Sequence, residues 1–181
     1  ANPLLPEQAA IRRIKKQNHD TLTFTLSLLN GRQAEYSFWP GQFNMVYAFG
    51  VGEAAISISS DPAHTEHLSH TIRQAGSVTR ALAKMRVGDR LGVRGPFGNG
   101  WPLDRCKGRD LVLVAGGIGL APLRPVIYSV LANRQRFGRV ILVYGGRSPA
   151  DLLFQSELET WREHPDFDLL ISVDYAIKEW D

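Results

Sequence analysis

The pattern of apolar and polar positions changes near residue 110. Before that point, short apolar segments with alternating polar positions are separated by glycine- and proline-containing turns, as in antiparallel sheets. Strands are predicted in "AAIRRIKKQ", "LTFTLSLL", "FNMVYAF", "AISIS", "LSHTIRQ" and "DRLGVRG". A helix is predicted over residues 77–85, "SVTRALAKM", just after Gly76. The first hundred residues are therefore predicted to form an antiparallel barrel or sandwich.

From residue 110 onward, longer apolar runs alternate with stretches compatible with helices. Buried strands are predicted in "DLVLVA", "RVILVYGG" and "FDLLISV", with helices over 121–134 and 150–164 between them. Strands that alternate with helices indicate a parallel sheet with right-handed crossovers. We therefore predict two domains, residues 1–105 and 106–181, that meet in the segment "LDRCKGRD".

Composition narrows the class of protein. The net charge of +3 is small, and no basic stripe with interleaved aromatic residues indicates nucleic-acid binding. The longest apolar run is far shorter than the ~18–20 residues that span a bilayer, and "ANPLLPEQAA" lacks the pattern of a signal peptide. We expect a cytoplasmic protein that binds neither nucleic acid nor membrane. A single cysteine cannot ligate an iron–sulfur cluster, so any such cluster must lie on a partner or beyond residue 181.

The segment "VAGGIGLAP" at 114–122 joins a predicted strand to a predicted helix. In such a turn, glycines at 116, 117 and 119 let a phosphate approach backbone amides at the helix N-terminus. The spacing lacks the full dinucleotide fingerprint, so a tight structural turn explains the loop about equally well. Arg147, in "VYGGRS" after the next strand, favours a nucleotide, because the adenosine ribose would lie beside it.

Two other segments suggest binding sites. "GSVTRAL" at 76–82 again combines glycine, hydroxyl residues and a helix start, and the simpler explanation is that Ser77 caps the helix. Histidines 64, 67 and 70 are spaced three apart, as metal ligands on a helix would be. Pro62 and the strand pattern that follows favour a solvated loop, so no metal site is predicted.

Five motifs, taken in order, resemble the ferredoxin-NADP reductase superfamily: "AAISISS", "TIRQAGSVTRAL", "GVRGPFG", "VAGGIGLAPL" and "VYGGRSPADLLF". Within it, the chain is most similar to the flavoprotein gamma subunit of cytoplasmic nickel-iron hydrogenases, and next to the electron-transfer subunit of dihydroorotate dehydrogenase. The resemblance implies an antiparallel FAD-binding β-barrel followed by a truncated parallel-sheet α/β domain that binds NAD(P)H.

The resemblance also assigns site residues. Ser57 would be the catalytic residue, with its hydroxyl near the flavin N5. The residues expected to bind FAD are Ile56, Ser57, Ile58, Ser59, Thr71, Ile72, Arg73, Gly76, Ser77, Val78 and Thr79. The residues expected to bind the nicotinamide nucleotide are Gly116, Gly117, Ile118, Gly119, Ala121, Pro122, Gly145, Gly146 and Arg147.

Two departures from the family bear on this assignment. Ala54 and Ile56 stand where many members carry arginine and tyrosine, and Arg73 is either the compensating charge or a solvated strand residue. The family's nucleotide domain continues further and usually adds cysteines for a 2Fe–2S cluster, whereas "ISVDYAIKEWD" resembles a third strand that is cut within an active-site loop. We therefore expect a fragment, with an intrinsically short module as the alternative.

The implied function is electron transfer. A nicotinamide gives two electrons at once and an iron–sulfur centre takes one, and a flavin connects the two. The expected partners are iron–sulfur and nickel-iron hydrogenase-type subunits in a hetero-oligomer. The alternatives are a subunit of another oxidoreductase, such as dihydroorotate dehydrogenase, and a flavin-binding docking module that does not oxidise nicotinamide. The sequence does not decide between NADH and NADPH.

Overall fold

Two separate β-sheets divide the chain in the computed structural model, which describes residues 5–31 and 33–176. The first sheet has six strands in the spatial order β4-β3-β6-β1-β2-β5, with every neighbouring pair antiparallel. Its elements are β1 Glu7–Lys16, β2 Thr21–Leu28, β3 Phe43–Ala48, β4 Gly52–Ser57, β5 Leu68–Arg73, α1 Ser77–Leu82 and β6 Arg90–Phe97.

The first sheet closes into a barrel where its two edge strands meet. Beyond the end of β4, Ile58 forms a bridge with His70 on β5, and the Ser59 N–H donates to the carbonyl of Ser69 at 2.8 Å. Inward-facing apolar side chains, among them Phe24 and Leu91, fill the interior. The predicted antiparallel barrel is confirmed. Helix α1 is shorter than predicted, because residues 84 and 85 donate to carbonyls three positions back and tighten the last turn.

The second sheet is parallel, as predicted, with strand order β7-β8-β9. Its elements are β7 Leu111–Gly116, α2 Leu120–Ala132, β8 Val140–Gly146, α3 Gln155–Arg162 and β9 Asp168–Val173. The prediction that these strands are buried holds for only one face of the described sheet. The helices pack on one face only, and Val112, Val114 and Leu170 on the other are more than half exposed.

Helix α3 begins five residues later than predicted. Residues 149–151 form a short 3-10 turn, and Phe154 then adopts a left-handed backbone conformation with φ of 56°. Phe154 is buried, and its N–H donates to Gln17 Oε1 at 3.1 Å. Because this contact comes from the loop between β1 and β2, the local sequence does not reveal it. Residues 177–181, where the sequence suggests an interrupted active-site loop, lie outside the described residues.

One arginine of α2 joins the two sheets. The Arg124 guanidinium forms two hydrogen bonds with the Glu157 carboxylate, at 2.7 and 2.6 Å, and a third, at 2.7 Å, with the carbonyl of Ser59 in the barrel. It also lies over the Phe154 ring, 4.6 Å from its centroid. Since both ends of the Arg124–Glu157 ion pair are largely buried, each charge depends on the other for stabilisation.

We expect Arg124→Met to lower the free energy of unfolding by about 3–5 kcal/mol, because it leaves the Glu157 carboxylate charged and largely buried without its cation, although the Tyr128 hydroxyl still donates to it. The double variant with Glu157→Met should recover most of that loss. Arg139→Met is the control, since the Arg139–Asp168 pair is exposed and should change stability by less than about 1 kcal/mol. Urea denaturation of the four proteins measures this, and equal losses for Arg124→Met and Arg139→Met would contradict the assignment.

His70 lies inside the barrel, so the prediction of a solvated loop is wrong for this residue, although His64 is exposed. The His70 ring is completely buried at the seam between β4 and β5. Burial lowers the pKa of His70 to about 4, although hydrogen bonds to the carbonyls of Ser57 and Ile56 oppose this shift. The ring is therefore neutral at ordinary pH.

We expect His70 to lower the free energy of unfolding as the pH is decreased from about 6.5 to 4. In this interval the unfolded chain binds a proton at His70 more readily than the folded protein does, so acid favours unfolding. The full effect is about 3 kcal/mol, from 1.36 kcal/mol for each unit of pKa shift. Urea denaturation of the wild type and of His70→Gln across this pH range measures the effect. The difference between the two proteins separates the contribution of His70 from that of the carboxylates. Parallel curves for the two proteins would contradict it.

Candidate functional site

A cleft of about 400 Å³ opens between the barrel and the carboxyl ends of the parallel strands. Loops after all three strands of the second sheet line it, as does the barrel. The lining residues are Asn18, Asp20, Arg73, Gly116, Gly117, Ile118, Gly145, Gly146, Arg147, Asp151, Leu153, Ser172 and Asp174. Ligands of open parallel sheets bind at this edge, and the volume is within the usual range for ligand pockets. Both predicted nucleotide loops and Arg73 therefore meet in one cleft.

The loop after β7 has the geometry of an anion site. Gly117 has a φ of 50°, and a Cβ atom at residues 116, 117 or 119 would meet no atom within 4 Å. A short 3-10 turn, Gly117–Gly119, leads directly into α2, and the first amides of a helical segment have no acceptor within it. The loop thus presents open backbone at a helix N-terminus, where a phosphate binds. Ala121 is buried in the core and lines no part of the cleft.

A buried tyrosine holds this loop in place. The Tyr144 hydroxyl donates to the carbonyl of Gly117 at 3.2 Å and accepts from the N–H of Leu153 at 3.0 Å. Burial raises the pKa of Tyr144, so the phenol keeps its proton. The sequence does not reveal this role of Tyr144, because the residue occupies one apolar position of a predicted strand. The only feature that distinguishes it is a hydroxyl group in an otherwise aliphatic run.

The loop after β8 combines a packing glycine with a cleft arginine. A Cβ at Gly146 would lie 2.8 Å from the buried Leu152 side chain, so a larger residue here would have to displace that side chain. The Arg147 side chain is 63% exposed, and its nearest carboxylate, that of Asp151, lies 3.9 Å away. Asp151 also accepts a hydrogen bond from the Ser148 hydroxyl at 2.7 Å. Arg147 is therefore able to turn toward a ligand.

The barrel wall of the cleft carries an ion pair. Arg73 Nε donates to Asp20 Oδ2 at 2.9 Å, and the Arg73 side chain is half exposed. Partial burial opposes the shift, but hydrogen bonds from Thr21 and Arg73 hold the pKa of Asp20 below its usual value. Arg73 thus lines the cleft but is already paired with Asp20, and its role as a compensating charge stays a prediction. An anionic ligand would compete with Asp20 for its guanidinium.

The end of β4 divides the predicted flavin residues into two groups. Ser57, opposite Phe43 on β3, is half-buried, and among the described residues its hydroxyl has no hydrogen-bond partner. Ile56 is also half-buried. In contrast, four predicted residues point into the barrel core or bond to one another: Ile58, Ser59, Thr71 and Ile72. Only backbone atoms of this second group remain available to a cofactor.

The cap of α1 differs from the simpler explanation of this segment, in which Ser77 caps the helix. The helix begins after Gly76, and the cap hydroxyl comes from Thr79, which accepts from the N–H groups of Ala75 and Gly76 at 3.0 and 2.9 Å. Ser77 therefore does not cap the helix. No atom lies within 4 Å of a Cβ placed at Gly76, so the backbone there is open to a ligand, and Val78 packs toward β4.

The residues present fit the two expected cofactors. The half-buried Ser57 hydroxyl, which has no hydrogen-bond partner within residues 5–31 and 33–176, and the open backbone at Gly76 suit a flavin. The open glycine loop with Arg147 suits a dinucleotide. The described residues hold no group of three or more side chains arranged to bind a metal ion. Among them, no helix is long and apolar enough to cross a membrane.

Comparison with known families assigns both halves of the chain. Residues 8–101 match the oxidoreductase FAD-binding domain, and residues 113–180 match the oxidoreductase NAD-binding domain.

Individual relatives point the same way. Sulfhydrogenase 2 subunit gamma of Pyrococcus furiosus is 37% identical over 87% of this chain and 54% of its own length. A probable dihydroorotate dehydrogenase B electron-transfer subunit of Methanothermobacter thermautotrophicus is 36% identical over 86% of this chain and 54% of its own. Ferredoxin-NADP+ reductase from Plasmodium falciparum shares the fold, with a TM-score of 0.80 at 16% identity over 96% of this chain and 74% of its own. The chain spans about half the length of the two curated relatives.

We expect Gly117→Val to weaken binding of the nicotinamide nucleotide at least ~10-fold, since losing about 1.4 kcal/mol of contact has that effect. Gly108→Val is a matched control, because Gly108 also has a positive φ and open space around it but lies outside the cleft. Both substitutions should lower stability by roughly 1–2 kcal/mol through backbone strain. Titration of NADH and NADPH into the three proteins separates strain from binding, and normal affinity in Gly117→Val would refute the loop assignment.

Proposed function

The chain belongs to the family of oxidoreductase FAD-binding domains, and we propose that it is the flavin-containing electron-transfer subunit of a multisubunit nickel-iron hydrogenase-type complex. The observation that carries the proposal is the cleft in which both glycine-rich loops face Arg73 of the barrel. A cleft built from two nucleotide-binding domains allows one cofactor to react with another. The residues predicted from sequence to bind FAD and NAD(P)H remain part of this proposal.

The chain's own contribution is to bind and orient. When bound, FAD supplies the conversion between the two electrons of NAD(P)H and the single electrons of an iron–sulfur centre. The glycine loop and Arg147 would hold the dinucleotide, and the Gly76 turn would receive the flavin's pyrophosphate. Ser57 would donate its hydroxyl hydrogen to the reactive edge of the flavin. No side chain has to act as acid or base, since positioning alone supplies several kcal/mol.

The proposed partners follow from the relatives and from the cysteine count. The named relatives include sulfhydrogenase gamma subunits, which are parts of larger enzymes. Cys106 is the single cysteine of this chain and cannot by itself hold a cluster. The electron acceptor is therefore assigned to an iron–sulfur cluster outside residues 1–181, within a hetero-oligomer in the cytoplasm. The second candidate function, electron transfer to dihydroorotate dehydrogenase, is favoured by the 36% identity to such a subunit.

We expect the flavin of the protein, purified in its native complex, to lose its visible absorbance on anaerobic titration with NADH or NADPH. Re-oxidation of the reduced complex by protons with release of hydrogen favours the hydrogenase-type assembly, and re-oxidation by orotate favours the second candidate. A bound flavin that neither nucleotide reduces would contradict electron transfer and favour a flavin-binding docking module.

We expect Ser57→Ala to slow reduction of the bound flavin by about tenfold, which corresponds to one lost hydrogen bond of about 1.4 kcal/mol. The flavin content should stay unchanged, because most contacts of the cofactor lie elsewhere. Ser27→Ala is the control, since Ser27 lies on β2 next to the exposed His67. Stopped-flow absorbance of the flavin measures the rate, and an unchanged rate in Ser57→Ala would remove Ser57 from the proposal.

A further inference from the structure

A chain of hydrogen bonds crosses the barrel interior and ends on the backbone of Ser57. The Tyr36 hydroxyl donates to Asn44 Oδ1 at 2.7 Å, Asn44 Nδ2 donates to His70 Nε2 at 3.1 Å, and His70 Nδ1 donates to the carbonyl of Ser57 at 3.0 Å. Asn44 and His70 have no exposed surface. Because the carbonyl of Ser57 can only accept, the neutral His70 ring carries its proton on Nδ1 and accepts from Asn44 at Nε2, which fixes the imidazole tautomer and the amide orientation.

The barrel seam explains why this carbonyl needs a side-chain donor. In the β3–β4 ladder, the Ile58 N–H donates to the carbonyl of Gln42. Because hydrogen-bonded and non-hydrogen-bonded pairs alternate in antiparallel sheets, the next pair, Phe43 and Ser57, directs its backbone groups away from the ladder. The carbonyl of Ser57 therefore faces β5, where the His70 ring takes the place of a backbone donor.

The surrounding backbone restricts Asn44 as well. A Cβ at Gly95 would lie 2.2 Å from Asn44 Oδ1, and Gly95 has a φ of 147°. Only glycine leaves this space, which lies on the side of β6, and the Tyr36 hydroxyl donates to the same Oδ1 atom. The position of the His70 ring is thus determined from both of its nitrogens.

We propose that His70 is a positioning residue for Ser57: it fixes the Ser57 peptide group so that its hydroxyl, which no described residue pairs with, faces the flavin. The inference rests on the proposed function. Burying histidine and asparagine in a barrel core requires a desolvation that apolar side chains would avoid, and such buried polar networks give orientation in place of stability. The chain ends at the one strand residue whose hydroxyl is expected at the reacting edge of the cofactor.

Two variants of His70 separate positioning from packing. His70→Asn places an amide N–H near the former Nδ1 and keeps a donor for the Ser57 carbonyl, whereas His70→Gln places its amide near the former Nε2 and loses that donor. In His70→Gln we expect flavin reduction to slow by at least ~5-fold, but by less than the effect of Ser57→Ala, which removes a full hydrogen bond. The absorbance spectrum and the midpoint potential of the flavin should change as well. His70→Asn should stay within about twofold of the wild type in all three.

Combination with Ser57→Ala shows whether His70 acts through Ser57. If it does, His70→Gln should slow flavin reduction no further in the Ser57→Ala background, because coupled residues are not additive. A full additional loss there would overturn the proposal. So would a wild-type spectrum, potential and rate in His70→Gln, which would leave the histidine only a structural role.

Two further measurements keep the result interpretable. FAD affinity of the apoprotein and thermal unfolding report whether each variant folds. If neither His70 variant folds, Tyr36→Phe removes only the far end of the chain and should move the flavin spectrum and rate in the same direction by a smaller factor; no change in Tyr36→Phe would then overturn the proposal. Failure of NAD(P)H to reduce the wild-type flavin refutes the proposed function instead.

Discussion

The geometry of the cleft depends on the guanidinium group of Arg124. Arg124 lies five residues beyond Gly119, about 7.5 Å along the helix axis, so whatever holds it also sets the direction of the glycine loop. Its hydrogen bond to the carbonyl of Ser59 reaches the barrel two residues beyond Ser57. Arg124 is therefore one contact that fixes the position of the proposed nucleotide loop relative to the proposed flavin residue.

Ser59 belongs to a second connection between the sheets. The Ser59 hydroxyl is hydrogen-bonded to the Thr71 hydroxyl, and the Thr71 hydroxyl to that of Thr23. The Thr23 hydroxyl accepts from the Gln17 side-chain amide, and the amide oxygen of Gln17 accepts from the N–H of Phe154. The Phe154 ring lies beneath Arg124, so the two connections form a closed circuit. Because the two connections share residues at both ends, moving one of these residues would disturb the contacts of the others. This explains why the left-handed conformation of Phe154 is retained despite its cost.

The sequence predicts the architecture better than the contacts across it. The change of period near residue 110 and the order of five motifs are local signals, and the barrel, the parallel sheet and the FAD- and NAD-binding domains that they predict are confirmed. Arg124, in contrast, looks like any polar helix residue, because its partner Ser59 is 65 positions away. His70 falls within the predicted strand "LSHTIRQ", but nothing in the sequence indicates that its ring is buried in the barrel and bonded to Asn44 and Ser57.

Pairing of charges determines how the cleft can hold an anionic ligand. The charged side chains that line the cleft are three carboxylates, Asp20, Asp151 and Asp174, and two guanidinium groups, Arg73 and Arg147. Arg73 is bonded to Asp20 and Arg147 lies near Asp151, so neither guanidinium is free of a carboxylate. A dinucleotide must displace these carboxylates or rely on groups without such competition, namely the backbone amides of the glycine loop. Main-chain amides cannot be moved by rotating a side chain, so the position of the bound dinucleotide then depends on the position of the glycine loop. That position depends in turn on the hydrogen bonds of Tyr144 to the loop and of Arg124 to the barrel.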